Sequence, residues 1–349
     1  MRVKISVLGH FGIGKNLLNG QTVKTKTITE ELQARFGVEQ VVKIDTSGGA
    51  KTLLKAPIQS LSALKKSENV IIFPAHNGLR IYAPLLSSFK RFFKNRKLHY
   101  VVIGGWLPEF LSKKKLLTDA LKTFRGIYVE TLTMKKALEN QGLNNIFVLP
   151  NCKKLSILSE NELVYPQGVP YKLCTFSRVM REKGIEDAVK TVIKVNQSLG
   201  YTAFALDIYG QVDENQTEWF DALQKTFPDY ISYGGLIPFD RSVETLKEYF
   251  ALLFPTYYEG EGFAGTLIDA YSAGVPVIAS DWKYNSELVN DNVGYVYNTH
   301  DNGALAKLLN AAVIDPDMIL KKKKPCLYEA EKYKIEKAVS VLLNRIEGD

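Results

Sequence analysis

Cysteine is scarce, with three in 349 residues: Cys152, Cys174 and Cys326. Their number is odd and no two are close enough to form a CxxC pair. That excludes a disulfide-stapled miniprotein, argues against a zinc site and fits a reducing compartment. Long apolar runs are lacking too, and none reaches the roughly 18 residues a membrane span needs. The chain starts on a predicted strand, Val3–Leu8, rather than a signal-peptide pattern, so a cytoplasmic location is expected. Internal repeats and low-complexity tracts are absent. There is no cluster of His, Cys and Asp at ligand spacing; Asp315-Pro316-Asp317 has an Asp-x-Asp spelling but reads as a loop and helix start, and no bound metal is expected. What is present is 46% hydrophobic, 23% charged and 11% aromatic residues. This is the make-up of a globular chain, long enough for two domains of about 100–200 residues each.

Charge is unevenly distributed. Residues 1–152 hold 24 Lys/Arg against 9 Asp/Glu, a net of +15, and residues 153–349 hold 21 against 28, a net of −7. A basic half points to an anionic partner: a membrane surface, a nucleic acid or a phosphorylated acceptor. Nucleic acid is disfavoured, because no basic strand interleaved with aromatics appears. In Phe89-Lys-Arg-Phe-Phe-Lys-Asn-Arg-Lys97, cations beside aromatics suit an anionic bilayer. Lys113–Lys115 follow soon after. The alternative reading makes Phe92 and Phe93 core residues and the lysines a solvated helix face. Lys321–Lys324 reads as a solvated turn.

Short, nearly continuous apolar runs alternate with helical patterns: Val3–Leu8, Val41–Asp45, Val70–Pro74, Tyr100–Ile103, Ile127–Val129 and Ile146–Leu149, then Leu173–Phe176, Phe204–Gly210, Ala251–Phe254, Val275–Ala279 and Val293–Val296. Strands of this kind belong to parallel sheets covered on both faces. The predicted fold is α/β, two doubly wound Rossmann-like domains facing across a cleft. Cys152–Val169 is aperiodic and marks the linker. The expected divisions are a first Rossmann-like domain at 1–152, a second at 153–327 and a C-terminal helix at 328–349. That helix has Ile335, Ala338, Val339, Leu342 and Ile346 at helical spacing, and is expected to pack back on the first domain.

The first strand runs into Gly9-His-Phe-Gly-Ile-Gly-Lys15-Asn16. This GxxxxGK would suit a phosphate loop, but Asn16 replaces the hydroxyl residue that ligates Mg²⁺. The helical pattern also starts only after Asn19-Gly20-Gln21. A helix start near Gly20, with backbone N–H groups able to hold an anion, is the better reading. A P-loop NTPase or kinase using Gly9–Lys15 stays as an alternative, as does a non-catalytic sugar-binding module. His76 directly follows a strand, where open α/β sheets place ligands.

The chemistry concentrates in Tyr258-Glu-Gly-Glu261-Gly-Phe263-Ala264-Gly265-Thr266-Leu-Ile-Asp269-Ala. Gly265 and Thr266 fall at a helix start, whose backbone donors and dipole suit a diphosphate. Glu261 and Asp269 flank it, able to accept hydrogen bonds from ribose and sugar hydroxyls. Arg178 and Lys183, after the strand Leu173–Phe176, add two cations for an anionic leaving group. Together these suggest a nucleotide-diphosphate sugar.

Across nearly its whole length the chain resembles family 4 (group 1) glycosyltransferases of the GT-B fold. The R-x4-K-G motif is Arg178, Lys183 and Gly184; the E-x7-E motif is Glu261 and Asp269; the Pro-Asn step ending the first domain is Pro150-Asn151. Two positions depart, Asp269 for the usual Glu and Ala264 for the usual Gly. The local spelling around Glu261, with Ser280-Asp-Trp-Lys-Tyr-Asn285, resembles enzymes of bacterial capsule and exopolysaccharide synthesis. The resemblance implies a retaining, metal-independent transfer from a nucleotide-diphosphate sugar, UDP-linked, with no further cofactor. The acceptor would be a saccharide or a lipid-diphosphate-linked one, and the enzyme cytoplasmic or peripheral on the inner membrane face. Arg178 and Lys183 would neutralise the diphosphate, Glu261 would bind sugar hydroxyls and Asp269 the ribose. Phe263, Ala264, Gly265, Thr266 and Gly20 would contact the donor, with His76 near the sugar and acceptor.

Overall fold

A computed structural model describes residues 3–14, 20–154 and 156–348. They divide into two compact units, residues 1–154 with 334–349, and residues 155–333. Each unit holds one six-stranded, all-parallel sheet.

In unit 1 the strands are β1 Val3–Gly9, β2 Val41–Asp45, β3 Ser67–Ile72, β4 Lys97–Val101, β5 Gly126–Val129 and β6 Ile146–Val148, in the order β2-β1-β3-β4-β5-β6. The apolar strand residues Ile5, Val7, Ile71 and Val101 are buried together with Ile28 and Leu32 of the helix Gly20–Phe36. The C-terminal helix Ile335–Glu347 joins the same core through the five apolar positions its spacing marks, Ile335, Ala338, Val339, Leu342 and Ile346. One buried ion pair, Lys24 Nζ to Glu130 Oε1 at 2.6 Å, ties the helix Gly20–Phe36 to the end of β5, with both side chains 3% exposed.

In unit 2 the strands are β7 Tyr171–Phe176, β8 Phe204–Tyr209, β9 Ile231–Gly235, β10 Ala251–Phe254, β11 Val277–Ser280 and β12 Gly294–Tyr297, ordered β12-β11-β10-β7-β8-β9. The core is built by Leu173, Leu206, Ile208, Leu253 and Ile278 against Ile185, Val189 and Val192 of the helix Ile185–Leu199. β9 is the strand the sequence pattern does not reveal. Its spelling, Ile-Ser-Tyr-Gly-Gly, carries one clear apolar residue, and it lies at the sheet edge. Gly234 is needed there, because a Cβ would lie 2.1 Å from the Tyr209 ring.

The Lys321–Lys324 turn is corrected by the structure. Lys322 and Lys323 are buried; Lys322 Nζ donates to the Asp291 carbonyl and Lys323 Nζ to the Tyr249 carbonyl at 3.0 Å. Burial pushes the Lys323 ammonium down to about 8. A run of four like charges reads as solvated until the fold turns two of them inward onto carbonyls.

Candidate functional site

Both sheets reverse strand order once, between β1 and β3 in unit 1 and between β7 and β10 in unit 2. Loops leaving the C-terminal ends of such a pair diverge and leave a crevice, where open α/β sheets bind ligands. In unit 2 those two loops are residues 177–184 and 255–264, the stretches singled out by their chemistry.

Gly184 shows how the two loops are locked. It has φ +69°, in the left-handed region, and opens the helix Ile185–Leu199. A Cβ there would lie 2.1 Å from the Pro255 carbonyl oxygen. Tyr257 N–H donates to the Glu182 carbonyl at 2.8 Å. This close approach brings Lys183 and Glu261 together: Lys183 Nζ lies 2.5 Å from Glu261 Oε2, with the side chains 12% and 7% exposed. Lys183 also sits over the Tyr258 ring, 4.9 Å from its centroid. Thr256, fully buried, donates its hydroxyl to the same Oε2 at 2.8 Å. Glu261 is thus held by two donors on one oxygen. The loop behind it is pinned by Trp282 Nε1 on the Tyr258 carbonyl at 2.7 Å and by Ser280 Oγ on the Thr256 carbonyl at 2.6 Å.

Sequence reasoning missed Thr256. A threonine two residues past a strand carries no signal until the fold turns its hydroxyl onto Glu261.

The other unit 2 candidates lie around this pair in different environments. Ala264 precedes the helix Gly265–Ser272 and offers no side-chain cap; Leu267 N–H donates to the Ala264 carbonyl at 3.1 Å, while the N–H groups of Gly265 and Thr266 have no acceptor within the helix. Thr266 Oγ1 is buried with no hydrogen-bond partner. Phe263 is buried edge-on against Tyr333, with centroids 4.7 Å apart. Asp269 is buried, and its Oδ1 accepts from Ser242 Oγ at 3.1 Å. Arg178 is half exposed and its Nη1 lies 3.4 Å from Asp213 Oδ2.

In unit 1, His76 is the first residue of the helix His76–Lys90 and remains solvent-accessible. Its ring lies 4.0 Å from Trp106 and 4.9 Å from Phe110, centroid to centroid. Partial burial, and the cations Arg80 and Lys114, hold its imidazolium below the ordinary range. Gly20 opens the helix Gly20–Phe36 with open space around it. Lys15 and Asn16 of the GxxxxGK spelling lie outside the described residues. The part of that loop that is described binds an internal anion: Phe11 and Ile13 donate their N–H groups to Asp45 at 3.0 Å each. Burial works to raise the Asp45 carboxyl, but these bonds and those from Ser47 hold it below its usual value. Glycine-loop donors that a P-loop would offer to phosphate are here turned onto a side chain.

The basic stretch 90–97 is divided by the fold. Arg96 is buried, its Nε donating to the Leu64 carbonyl at 2.9 Å. Lys90 and Lys97 reach the Thr123 and Gly348 carbonyls, both at 2.6 Å. Arg91, Phe92 and Lys94 are exposed. Asp317 opens the short helix Asp317–Leu320, and among the described residues no three His, Cys, Asp or Glu side chains gather as metal ligands.

Comparison with known proteins gives a family match. The model for glycosyl transferases group 1 covers residues 166–344, just over half of the chain. The GtfA subunit of the UDP-N-acetylglucosamine–peptide N-acetylglucosaminyltransferase from Streptococcus gordonii is 27% identical over 189 residues, 53% of this chain and 36% of that protein. The chain therefore spans about a third of the length of that curated relative. Among solved structures, sucrose-phosphate synthase from Thermosynechococcus elongatus superposes with a TM-score of 0.76 at 14% identity, covering 99% of this chain and 98% of that one. HepE from Anabaena, crystallised in complex with UDP, gives 0.73 at 12% identity, over 99% and 100%. At such identities the likeness establishes the two-domain α/β fold.

Proposed function

The chain belongs to the glycosyl transferases group 1 family, and from that premise we propose that it moves a sugar from a nucleotide-diphosphate sugar, UDP-linked, to a saccharide or lipid-diphosphate-linked acceptor. Within the family we assign it to family 4, with retention of anomeric configuration. The role is in cell-surface polysaccharide synthesis, of the capsule or exopolysaccharide kind. The observation that carries the reading is the Lys183–Glu261 contact at the β7/β10 crevice, where the Gly184 packing holds a cation, a carboxylate and a helix start together. UDP is the nucleotide named in the complex with HepE and in the substrate of the streptococcal relative.

In this mechanism the bond between the sugar's anomeric carbon and the β-phosphate oxygen breaks, and negative charge develops on that oxygen. Lys183 stabilises it, together with Arg178 once it exchanges Asp213 for the diphosphate. Donors aimed at developing charge contribute about 2.7–4 kcal/mol each. The N–H groups opening the helix Gly265–Ser272, and the unpartnered Thr266 hydroxyl, serve the phosphates. Glu261, fixed through one oxygen by Lys183 and Thr256, offers the other to donor-sugar hydroxyls. The acceptor hydroxyl attacks the face the leaving group vacates and passes its proton to the departing phosphate oxygen. Charge stabilisation by Arg and Lys is the route we propose in place of a metal. Asp269, engaged with Ser242, contributes to ribose binding through the position of its helix. His76 stands on the acceptor side, and unit 1 meets an anionic membrane surface.

The test is a screen of nucleotide sugars for thermal stabilisation, followed by nucleotide release with acceptor present, with and without EDTA. A ligand at 100 times its Kd adds about 2.7 kcal/mol, a shift of several degrees. Stabilisation by UDP-sugars and release that survives EDTA are expected. No shift with any nucleotide sugar overturns the reading, and loss of release in EDTA overturns its metal-independent part.

A further inference from the structure

We propose that unit 1 carries a binding site for a saccharide bearing an anionic substituent, formed by Trp106, Phe110, His76, Arg80 and Lys114. The site rests on the glycosyl-transfer reading only in giving that saccharide the role of acceptor.

The three rings touch one another, His76–Trp106 at 4.0 Å, His76–Phe110 at 4.9 Å and Trp106–Phe110 at 5.1 Å between centroids. None belongs to the hydrophobic core of unit 1, and none is fully buried. They follow the C-terminal ends of β3 and β4, the edge of an open parallel sheet that binds ligands. The indole is fixed in place by Nε1 donating to the Ile103 carbonyl at 2.8 Å. A rigid, accessible aromatic cluster fits the apolar C–H face of a sugar ring.

Two cations converge on the cluster. Lys114 Nζ lies 4.2 Å and Arg80 Cζ 5.1 Å from the Phe110 centroid. Among the described residues, neither has a carboxylate within salt-bridge distance. Each is therefore left beside the rings as a cation open to an anionic partner, and a carboxylate or phosphate reaching it gains charge-assisted bonds, bidentate at Arg80. Partial burial first, and then the positive charges of Arg80 and Lys114, lower the basicity of His76. The surplus of 15 positive charges over residues 1–152 draws an anionic ligand to this unit. Carboxylate of a uronic acid and phosphate ester share this chemistry.

The experiment titrates the full-length chain, following tryptophan fluorescence, with three probes: a glucuronate-containing tetrasaccharide, a sugar phosphate and a neutral tetrasaccharide. Quenching by at least one anionic probe is expected, with affinity tenfold or more above the neutral one. Whichever anionic arm binds identifies carboxylate or phosphate as the substituent. The surface double variant R80Q/K114Q is expected to lose at least tenfold for that probe, and Trp106→Phe to diminish the quench. UDP-induced thermal stabilisation should be unchanged in R80Q/K114Q, which separates this site from donor binding. Equal affinity for neutral and anionic probes, no binding of any of them, or unchanged affinity in R80Q/K114Q overturns the proposal, whatever the fate of the transferase reading.

Discussion

Replacing Gly184 by Ala perturbs a position in the candidate site where left-handed backbone conformation and close packing coincide. The residue has φ +69°, and an L-residue in the left-handed region costs roughly 1–2 kcal/mol. The added Cβ would also lie 2.1 Å from the Pro255 carbonyl oxygen, 2.7 Å from its carbon and 2.8 Å from its Cβ. None of these belongs to a flexible side-chain end, so the chain must move by about an ångström, and overpacking of this kind costs roughly 1–3 kcal/mol. The total is about 2–5 kcal/mol. Gly200, at the other end of the same helix, provides the control: φ is +77° and no atom lies within 4 Å of its Cβ position. Gly200→Ala should therefore cost only the conformational part, roughly 1–2 kcal/mol. Urea unfolding of both variants measures the difference, and a domain of this size gives about 2–4 °C in Tm per kcal/mol. Because the displaced Pro255 adjoins Thr256, and Gly184 adjoins Lys183, UDP affinity should fall tenfold or more in Gly184→Ala and stay unchanged in Gly200→Ala. Equal destabilisation and equal affinity in the two variants would refute the close-approach argument.

Three other outcomes follow from the structure. Lys24→Met removes the partner of a carboxylate that is 3% exposed, and should cost about 3–5 kcal/mol in chemical denaturation, with most of it recovered when Glu130 is also replaced by Leu. Burial, reinforced by Arg345 and nearby lysines, pushes His99 down to about 3. The unfolded chain binds a proton near pH 6.5 that the folded one refuses. Stability should accordingly fall as pH drops from 6.5 toward 3, by up to about 1.4 kcal/mol per pH unit from this group, a slope that His99→Gln should lack. Co-sedimentation with anionic liposomes should weaken in Arg91→Glu/Lys94→Glu, whose side chains are exposed, and disappear at roughly 0.5 M salt as screening shortens; binding indifferent to lipid charge would contradict the membrane part of the proposal.

The alternation of apolar runs and helical spacers made the α/β class and eleven of the twelve strands legible, because buried parallel strands must be nearly continuous in Val, Ile and Leu. β9 escaped because its Gly-Gly ending serves the packing of Tyr209 rather than a strand pattern. In the site, the spacing of Arg178, Lys183 and Gly184 pointed to the loop that carries them, and Glu261 to its facing loop. The lock between them was not legible: Gly184 against Pro255 and Thr256 on Glu261 are contacts between residues more than 70 positions apart in one case and hidden in an ordinary strand exit in the other. Charge runs misled for a related reason. Arg96, Lys322 and Lys323 look solvated in sequence, yet each donates to a backbone carbonyl from a buried position. Trp106 and Phe110 gave no periodic signal, and only the turn after β4 brings them beside His76.

The most direct measurement is UDP-sugar turnover and binding in Lys183→Ala and Glu261→Ala, with the folded state of each checked by its thermal midpoint. Lys183→Ala is expected to lower turnover by 10²–10³-fold, the loss of one donor to a developing anion, and to weaken UDP binding. Glu261→Ala should abolish transfer while retaining UDP, because its free oxygen serves the sugar and not the diphosphate. Near-normal turnover in either folded variant would contradict the assignment of this crevice as the donor site.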